Sequence, residues 1–209
     1  MTRTEALNHF RRADPHFHAA TKAHHTSLPE KLSSKRTSAE LFQSLVSIVI
    51  SQQLGTAAAD TIFARVKKAC KGRITPESVR TLSDAAFREA GLSGAKTKTL
   101  RAVAEAVRNG SLNLLSLKRI PETEAAEKLM ELWGLGPWSV EMFLMFSLGR
   151  GDVFSAGDLG LVRSMEAIYG LPKGAPSDTL LAIAERWSPY RTYACMLLWR
   201  TRDAKAKAD

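Results

Sequence analysis

The chain has 209 residues and a mass of 22.9 kDa, enough for one large domain or two small ones with an adequate core. Lys and Arg number 30 against 21 Asp and Glu; the formal net charge of +9 and pI of about 9.8 favour a polyanionic partner, most simply nucleic acid. No stretch approaches the roughly 20 apolar residues of a membrane span. Cys70 and Cys195 are the only cysteines, which excludes a four-cysteine iron–sulfur cluster or a Cys-only zinc site and argues against a disulfide scaffold.

The polar, charged start from Met1 to Pro15 lacks the apolar core of a secretory signal. Residues 4–12 and 15–27 are predicted as two short helices. All five histidines lie here (His9, His16, His18, His24 and His25), but their spacings repeat no single helical face and do not suggest a metal site. A basic linker with Pro and Ser covers residues 28–37. Ser38 is then placed as the cap of a strongly apolar helix to Ile50, whose Leu41, Phe42, Leu45, Val46, Ile48, Val49 and Ile50 leave little polar face and imply burial. It breaks at Ser51-Gln52-Gln53-Leu54-Gly55, and a further helix is expected over 56–69.

Thr75-Pro76 opens a short helix by its cap and its proline at the first helical position. Ser83 to Gly91 is another, ending on glycine. Residues 96–109 are amphipathic, with Leu100, Val103, Ala104 and Val107 inward and Lys96, Lys98 and Arg101 outward, either as a solvated face or toward phosphate. A short apolar turn occupies 113–118.

The most informative segment follows. Residues 122–132 read as an amphipathic helix through Ala126, Leu129, Met130 and Leu132. Gly134 stops it, Gly136 adds a second unrestricted position, and Pro137 suits the start of the next helix, giving a tight helical hairpin. Its Gly134-Leu135-Gly136 backbone is either a structural corner or a cradle for a phosphate, with the N–H groups of the next helix behind it. Further on, Asp158 precedes Leu159, Leu161, Val162 and Met165 and is placed as a helix N-cap. It is a cap alone, or a carboxylate fixed where it stabilises a developing positive sugar. That helix ends at Gly170-Leu171-Pro172; Ser177 starts one to Trp187, Pro189 the last to about Arg202, and the tail 204–209 is expected to fray. No alternating strand pattern appears, so the fold class is all-α.

Leu129-x-x-Leu132-x-Gly134-Leu135-Gly136-x-Trp138, Asp152-Val153-Phe154 and Asp158-Leu159-Gly160-Leu161 together resemble the helix-hairpin-helix DNA glycosylases, in the 3-methyladenine DNA glycosylase II branch. The likeness extends to Ser51-Gln52-Gln53-Leu54, to Tyr190-Arg191-Thr192-Tyr193-Ala194 and to Trp199, and so spans about Leu41 to Arg200. It departs at Ala156 and Gly157, where many relatives have Pro and an acidic residue. The resemblance implies two helical lobes, 41–150 and 1–40 with 151–209, with the active-site cleft between them; the short N-terminus leaves no room for the extra β domain of larger relatives.

It further implies a monofunctional enzyme that extrudes and hydrolyses N-alkylated, cationic bases in double-stranded DNA. Asp158 would be the catalytic residue, and Trp138, Met142 and Trp199 would line the base pocket. Leu54 would be the wedge that fills the vacated stack, with Gln53 meeting the opposite strand. Gly134, Leu135 and Gly136 would hold a DNA phosphate, and the carbonyls of Met130, Leu132 and Leu135 a sodium or potassium ion. Lyase relatives carry a Lys where this chain has Trp138, so no strand cleavage is expected. Glu141, beside that helix, matches no acid partner. No organic cofactor is implied; the setting would be cytoplasmic (the nucleoid of a bacterium or the nucleus of a eukaryote), and the protein a monomer. The competing reading is a non-catalytic DNA-binding module, which needs the hairpin but not Asp158, Trp138 or the Gln53-Leu54 break.

Overall fold

The computed structural model describes residues 1–33 and 35–205. The described chain is helical throughout, with no strand beyond a single isolated bridge between Thr2 and Lys31, as the all-α reading expects. It divides into two compact units, Ser34–Leu148 and Met1–Ser33 with Gly149–Asp209. The first boundary therefore falls before the apolar helix at Ser38 rather than at Leu41. Residues ahead of that helix are tied to the central unit: Arg36 donates to Ser44 Oγ at 2.5 Å, and its carbonyl accepts from Lys118 Nζ at 2.6 Å.

In the Met1–Ser33 and Gly149–Asp209 unit, α1 (Arg3–Ala13) and α2 (Pro15–Ala20) meet at Asp14. The N–H of Asp14 closes α1 on the Phe10 carbonyl at 2.9 Å, and Asp14 Oδ1 caps α2 by accepting from Phe17 N–H at 3.0 Å. Its other oxygen accepts from Tyr169 O–H at 2.6 Å and Trp187 Nε1–H at 3.2 Å. A buried carboxylate is tolerated when its lone pairs are satisfied in this way. The Tyr169 phenol is pushed well above its ordinary pKa, by burial first and by its bond to Asp14 second. Phe10, Phe17 and Trp187 pack around this acid with ring centroids 5.3 and 4.6 Å apart. The predicted helix over 15–27 is two pieces: α2 stops at Ala20, and a 3₁₀ turn runs over Lys22–Ser27. His9 and His16 bond the carbonyls of Arg186 and Ile168 at 2.8 and 2.7 Å, while the His18 and His25 rings lie tilted against each other with centroids 4.5 Å apart.

The Ser34–Leu148 unit is built on α3 (Ser38–Ser51), against which α4 (Thr56–Ala69), α7 (Gly94–Arg108) and α9 (Pro137–Phe146) pack. The cap of α3 is Thr37, not Ser38. Its Oγ accepts from Glu40 N–H at 3.3 Å while the Glu40 carboxylate accepts from Thr37 N–H at 2.7 Å, a reciprocal capping box. The short α5 (Pro76–Thr81) and α6 (Asp84–Ala90) start at Thr75 and Ser83 as expected, and Gly91 ends α6. Then α8 (Glu122–Met130) leads into the hairpin and α9.

After α9 come α10 (Leu159–Tyr169), α11 (Ser177–Ala184) with a 3₁₀ turn over Glu185–Trp187, and α12 (Arg191–Lys205). The last helix starts two residues later than its proline suggested. Residues 206–209 of the expected frayed tail lie outside the described residues; Ala204 and Lys205 are still helical.

Candidate functional site

Asp158 is the N-cap of α10, with extended backbone, and is only partly exposed. Its Oδ1 accepts from Leu161 N–H at 3.0 Å, the capping bond that the sequence predicted. The same oxygen accepts from Trp199 Nε1–H at 2.9 Å. Trp199, expected as a pocket wall, donates from its indole edge the hydrogen bond that fixes the carboxylate. Gly160 makes room for this. A Cβ there would lie 2.9 Å from Asp158 Oδ1, 3.1 Å from Trp199 Cδ1 and 2.6 Å from an Arg202 guanidinium nitrogen. Nothing in local periodicity marked Gly160, because the reason lies on α12. Leu159, beside Asp158, is 68% exposed.

The loop that delivers Asp158 is pinned to the start of α12. Asp152 takes a bidentate bond from Arg191, Nε to Oδ1 at 2.8 Å and a terminal nitrogen to Oδ2 at 3.0 Å, and accepts from Ser188 Oγ at 2.8 Å. Fork-to-fork Arg–carboxylate pairs fix geometry as well as charge. Thr192 Oγ donates to the Arg150 carbonyl at 2.7 Å and accepts from Val153 N–H at 3.1 Å, and Thr192 N–H bonds the Gly151 carbonyl at 3.0 Å. Ser188, Arg191 and Thr192 thus brace the Asp158 loop.

In the other unit, α8 ends at Met130, and the hairpin turns through Gly134, whose φ of +84° lies in the left-handed region. A Cβ there would run into Thr99 Oγ on α7, so both backbone shape and close approach require glycine. Gly136, at φ −91° the N-cap of α9, has open space where a Cβ would be. Its exposed backbone, with the α9 N–H groups behind, is a surface an anion can approach. Leu135 is buried beneath the turn and its N–H bonds the Leu132 carbonyl at 3.1 Å. Trp133 is exposed under the Lys98 ammonium, 4.1 Å from the ring centroid. Trp138 is half-buried and Met142 buried on α9; Glu141 is half-buried on the same helix.

The break after α3 does not tuck Leu54 into the core. Leu54 is 39% exposed and Gln53 is exposed, with Gln53 at φ +56°. Gln52, which the sequence offered only as part of the motif, donates from Nε2 to the Gly134 carbonyl at 2.9 Å and to Ser139 Oγ at 2.8 Å. Lys96 donates to the carbonyls of Ile50 and Gln52 at 2.7 and 2.8 Å, and burial pulls its ammonium below the usual lysine pKa. Arg101 pairs with Asp84 at 2.6 Å and donates to the Leu82 carbonyl at 3.0 Å. Lys96, Lys98 and Arg101 are therefore engaged within the unit.

One unit thus carries a two-glycine helical hairpin, and the other a carboxylate that caps a helix. The family of HhH-GPD superfamily base excision DNA repair proteins matches residues 46–189, and the chain belongs to it. It is 36% identical over 165 residues to DNA-3-methyladenine glycosylase 1 of Schizosaccharomyces pombe, covering 78% of this chain and 72% of that one. A putative DNA-3-methyladenine glycosylase of Bacillus subtilis is 28% identical over 77% of this chain, of which the chain spans 58%. Among solved structures, the S. pombe 3-methyladenine DNA glycosylase in complex with abasic DNA superposes with a TM-score of 0.85 at 32% identity, over 94% of this chain and 95% of that one. A DNA-3-methyladenine glycosidase from Bacillus halodurans gives 0.77 at 36% identity, over 97% and 91%.

Proposed function

We infer that the protein is a monofunctional DNA glycosylase that removes N-alkylated, cationic bases such as 3-methyladenine from double-stranded DNA in base excision repair. The observation that carries this reading is the Asp158 carboxylate, held on one oxygen by a helix N–H and by the Trp199 indole. Preorganised charge of this kind stabilises a transition state without reorganising at the moment of reaction.

The chemistry asked of the protein is modest. An alkylated purine with a formal positive charge departs neutral, taking the glycosidic bond pair, and needs no protonation by a general acid. What remains is an oxocarbenium-like sugar, which Asp158 stabilises while orienting the water that adds to C1′, and the proton that this water loses passes to the carboxylate and on to solvent. Trp138 offers a π face to a cationic base, with Met142 as a further pocket wall. It supplies no amine for a Schiff base, so base release stops at an abasic site. Leu54, exposed at its turn, serves as the wedge, with Gln53 toward the opposite strand. The Gly134-Leu135-Gly136 backbone holds a phosphate.

A monovalent cation at the hairpin is part of the same proposal. α8 ends at Met130, leaving that carbonyl without an intrahelical donor, the Leu132 carbonyl keeps a second lone pair beside its bond from Leu135 N–H, and carbonyl oxygens are hard ligands suited to sodium or potassium. Met130, Leu132 and Leu135 would hold it, and it would add positive charge where a DNA phosphate docks. The enzyme is proposed to act as a monomer, in the cytoplasm or wherever the genome is housed.

The test is base release from defined duplexes carrying 3-methyladenine, 7-methylguanine, uracil or no lesion. The account expects free alkylated base and an alkali-labile site, with no strand cut before alkali. DNA binding without base release would leave a binding module instead.

A further inference from the structure

The turn that carries Leu54 is fastened to the hairpin by Gln52 and to α7 by Lys96, two side chains for which the chemistry above has no use. Gln53 sits in the left-handed region at φ +56°. For a residue with a Cβ this costs on the order of 1 kcal/mol and persists only where the surroundings over-determine it. Three contacts do so here. Leu54 N–H closes on the Ser51 carbonyl at 3.1 Å. Lys96 Nζ sits on the carbonyls of Ile50 and Gln52 at the end of α3, satisfying groups that a helix terminus leaves open and complementing its negative dipole end. The Gln52 amide spends both of its protons on the hairpin side, on the Gly134 carbonyl and on Ser139 Oγ. Gly134 in turn lies against Thr99, less than one helical turn beyond Lys96 on α7. The chain Lys96–Gln52–Gly134–Thr99 closes on itself through one helix.

We propose that Lys96 and Gln52 are positioning residues for base extrusion, clamping the Gln53-Leu54 turn against the phosphate-binding hairpin so that the wedge does not yield when it enters the duplex. The physical need is specific. Opening a base pair and unstacking a base costs a few kcal/mol, and the cost falls for a base that is already unpaired. A wedge on a compliant turn passes that load into its own backbone; a wedge braced to the element that grips the strand passes it into the DNA. The clamp therefore matters in proportion to the pairing it works against, and it is not involved in breaking the glycosidic bond.

This rests on the glycosylase reading, and the test separates the two. Single-turnover base release is measured for wild type, Lys96→Met, Lys96→Arg and Gln52→Met on one alkylated base, placed either in a paired duplex or opposite an abasic site. Two hydrogen bonds lost from the turn predict a drop of about tenfold for Lys96→Met on the paired substrate, with most of it recovered by Lys96→Arg. Opposite the abasic site the drop shrinks to about threefold or less. Gln52→Met shows the same asymmetry and guards against a Lys96 variant that fails to fold, which thermal unfolding detects. Equal losses on both substrates, or no loss on either from an active wild type, overturn the clamp. Wild type inactive on both substrates overturns the glycosylase function instead.

Discussion

The indole N–H of Trp199 on α12 donates to Oδ1 of Asp158 at the start of α10, at 2.9 Å. One oxygen of the proposed catalytic carboxylate thus carries both the helix-capping bond and a bond from an aromatic ring, so its direction is set by two elements. Trp199→Phe keeps the ring and deletes the donor. A hydrogen bond to a charged group contributes about 1.5–3 kcal/mol, so single-turnover base release should fall by about tenfold or more, with affinity for abasic DNA nearly unchanged. Unchanged release in a folded variant would show that the bond has no part in aiming Asp158.

Gly160 offers a test in which stability and activity part company. Ala is the better helix former by up to about 1 kcal/mol. Yet a methyl at this position would sit 2.9 Å from Asp158 Oδ1 and 3.1 Å from the Trp199 ring. Arg202 has a flexible side chain and can give way; the capped carboxylate cannot move without losing a bond. Gly160→Ala is expected to unfold near the wild-type temperature while losing about tenfold or more in base release, the magnitude of one broken charged hydrogen bond. Thermal unfolding and single-turnover kinetics on the same preparation check both halves.

The two hairpin glycines should fail in different ways. Gly134 has positive φ and faces Thr99, so Gly134→Ala carries a backbone penalty and a collision, and a loss of about 2 kcal/mol of stability is expected. Gly136 meets nothing within 4 Å, so Gly136→Ala should leave stability within about 0.5 kcal/mol of wild type. If a phosphate approaches there, DNA affinity still drops. Denaturant titration and DNA binding at several salt concentrations distinguish the two substitutions.

The paired imidazoles set a pH dependence. Burial holds His25 below its ordinary pKa of 6.5, and so it does His18, with the Arg11 and Lys22 charges adding to the latter. A depressed histidine pKa means that the folded state prefers the neutral ring. The unfolded chain binds the proton first, so the stability these rings contribute is whole above pH 6.5 and is lost as pH falls from there through the lower folded values. Denaturation midpoints at pH 8 and pH 5.5 should differ less for His25→Gln than for wild type. An equal difference would mean that the rings protonate alike in both states.

Local signals were readable wherever the determinant lies within a few residues. Asp158, Thr75 and Ser83 each cap the helix that follows them, because capping is a contact between near neighbours; α8, by contrast, ends at Met130, ahead of the Gly134 that was expected to stop it. The Thr37 cap was readable too: Ser38 competes on residue type, but only Thr37 has a glutamate three residues on. What stayed hidden depends on contacts across the chain. Lys96 looks like one basic residue among three until the carbonyl end of α3 is seen beneath it. Gln52 looks like motif filler until the hairpin meets its amide. Trp199 reads as an aromatic wall because sequence shows a ring but not where its N–H points.

The most direct measurement of the central claim is single-turnover release of 3-methyladenine from a defined duplex by wild type and by Asp158→Asn, with abasic-DNA affinity measured alongside. Asn keeps the size and the capping acceptor but removes the charge. The account predicts that release falls by about a hundredfold or more, on the scale of losing one preorganised electrostatic stabiliser, while binding and folding persist. Equal release by the two proteins would contradict it.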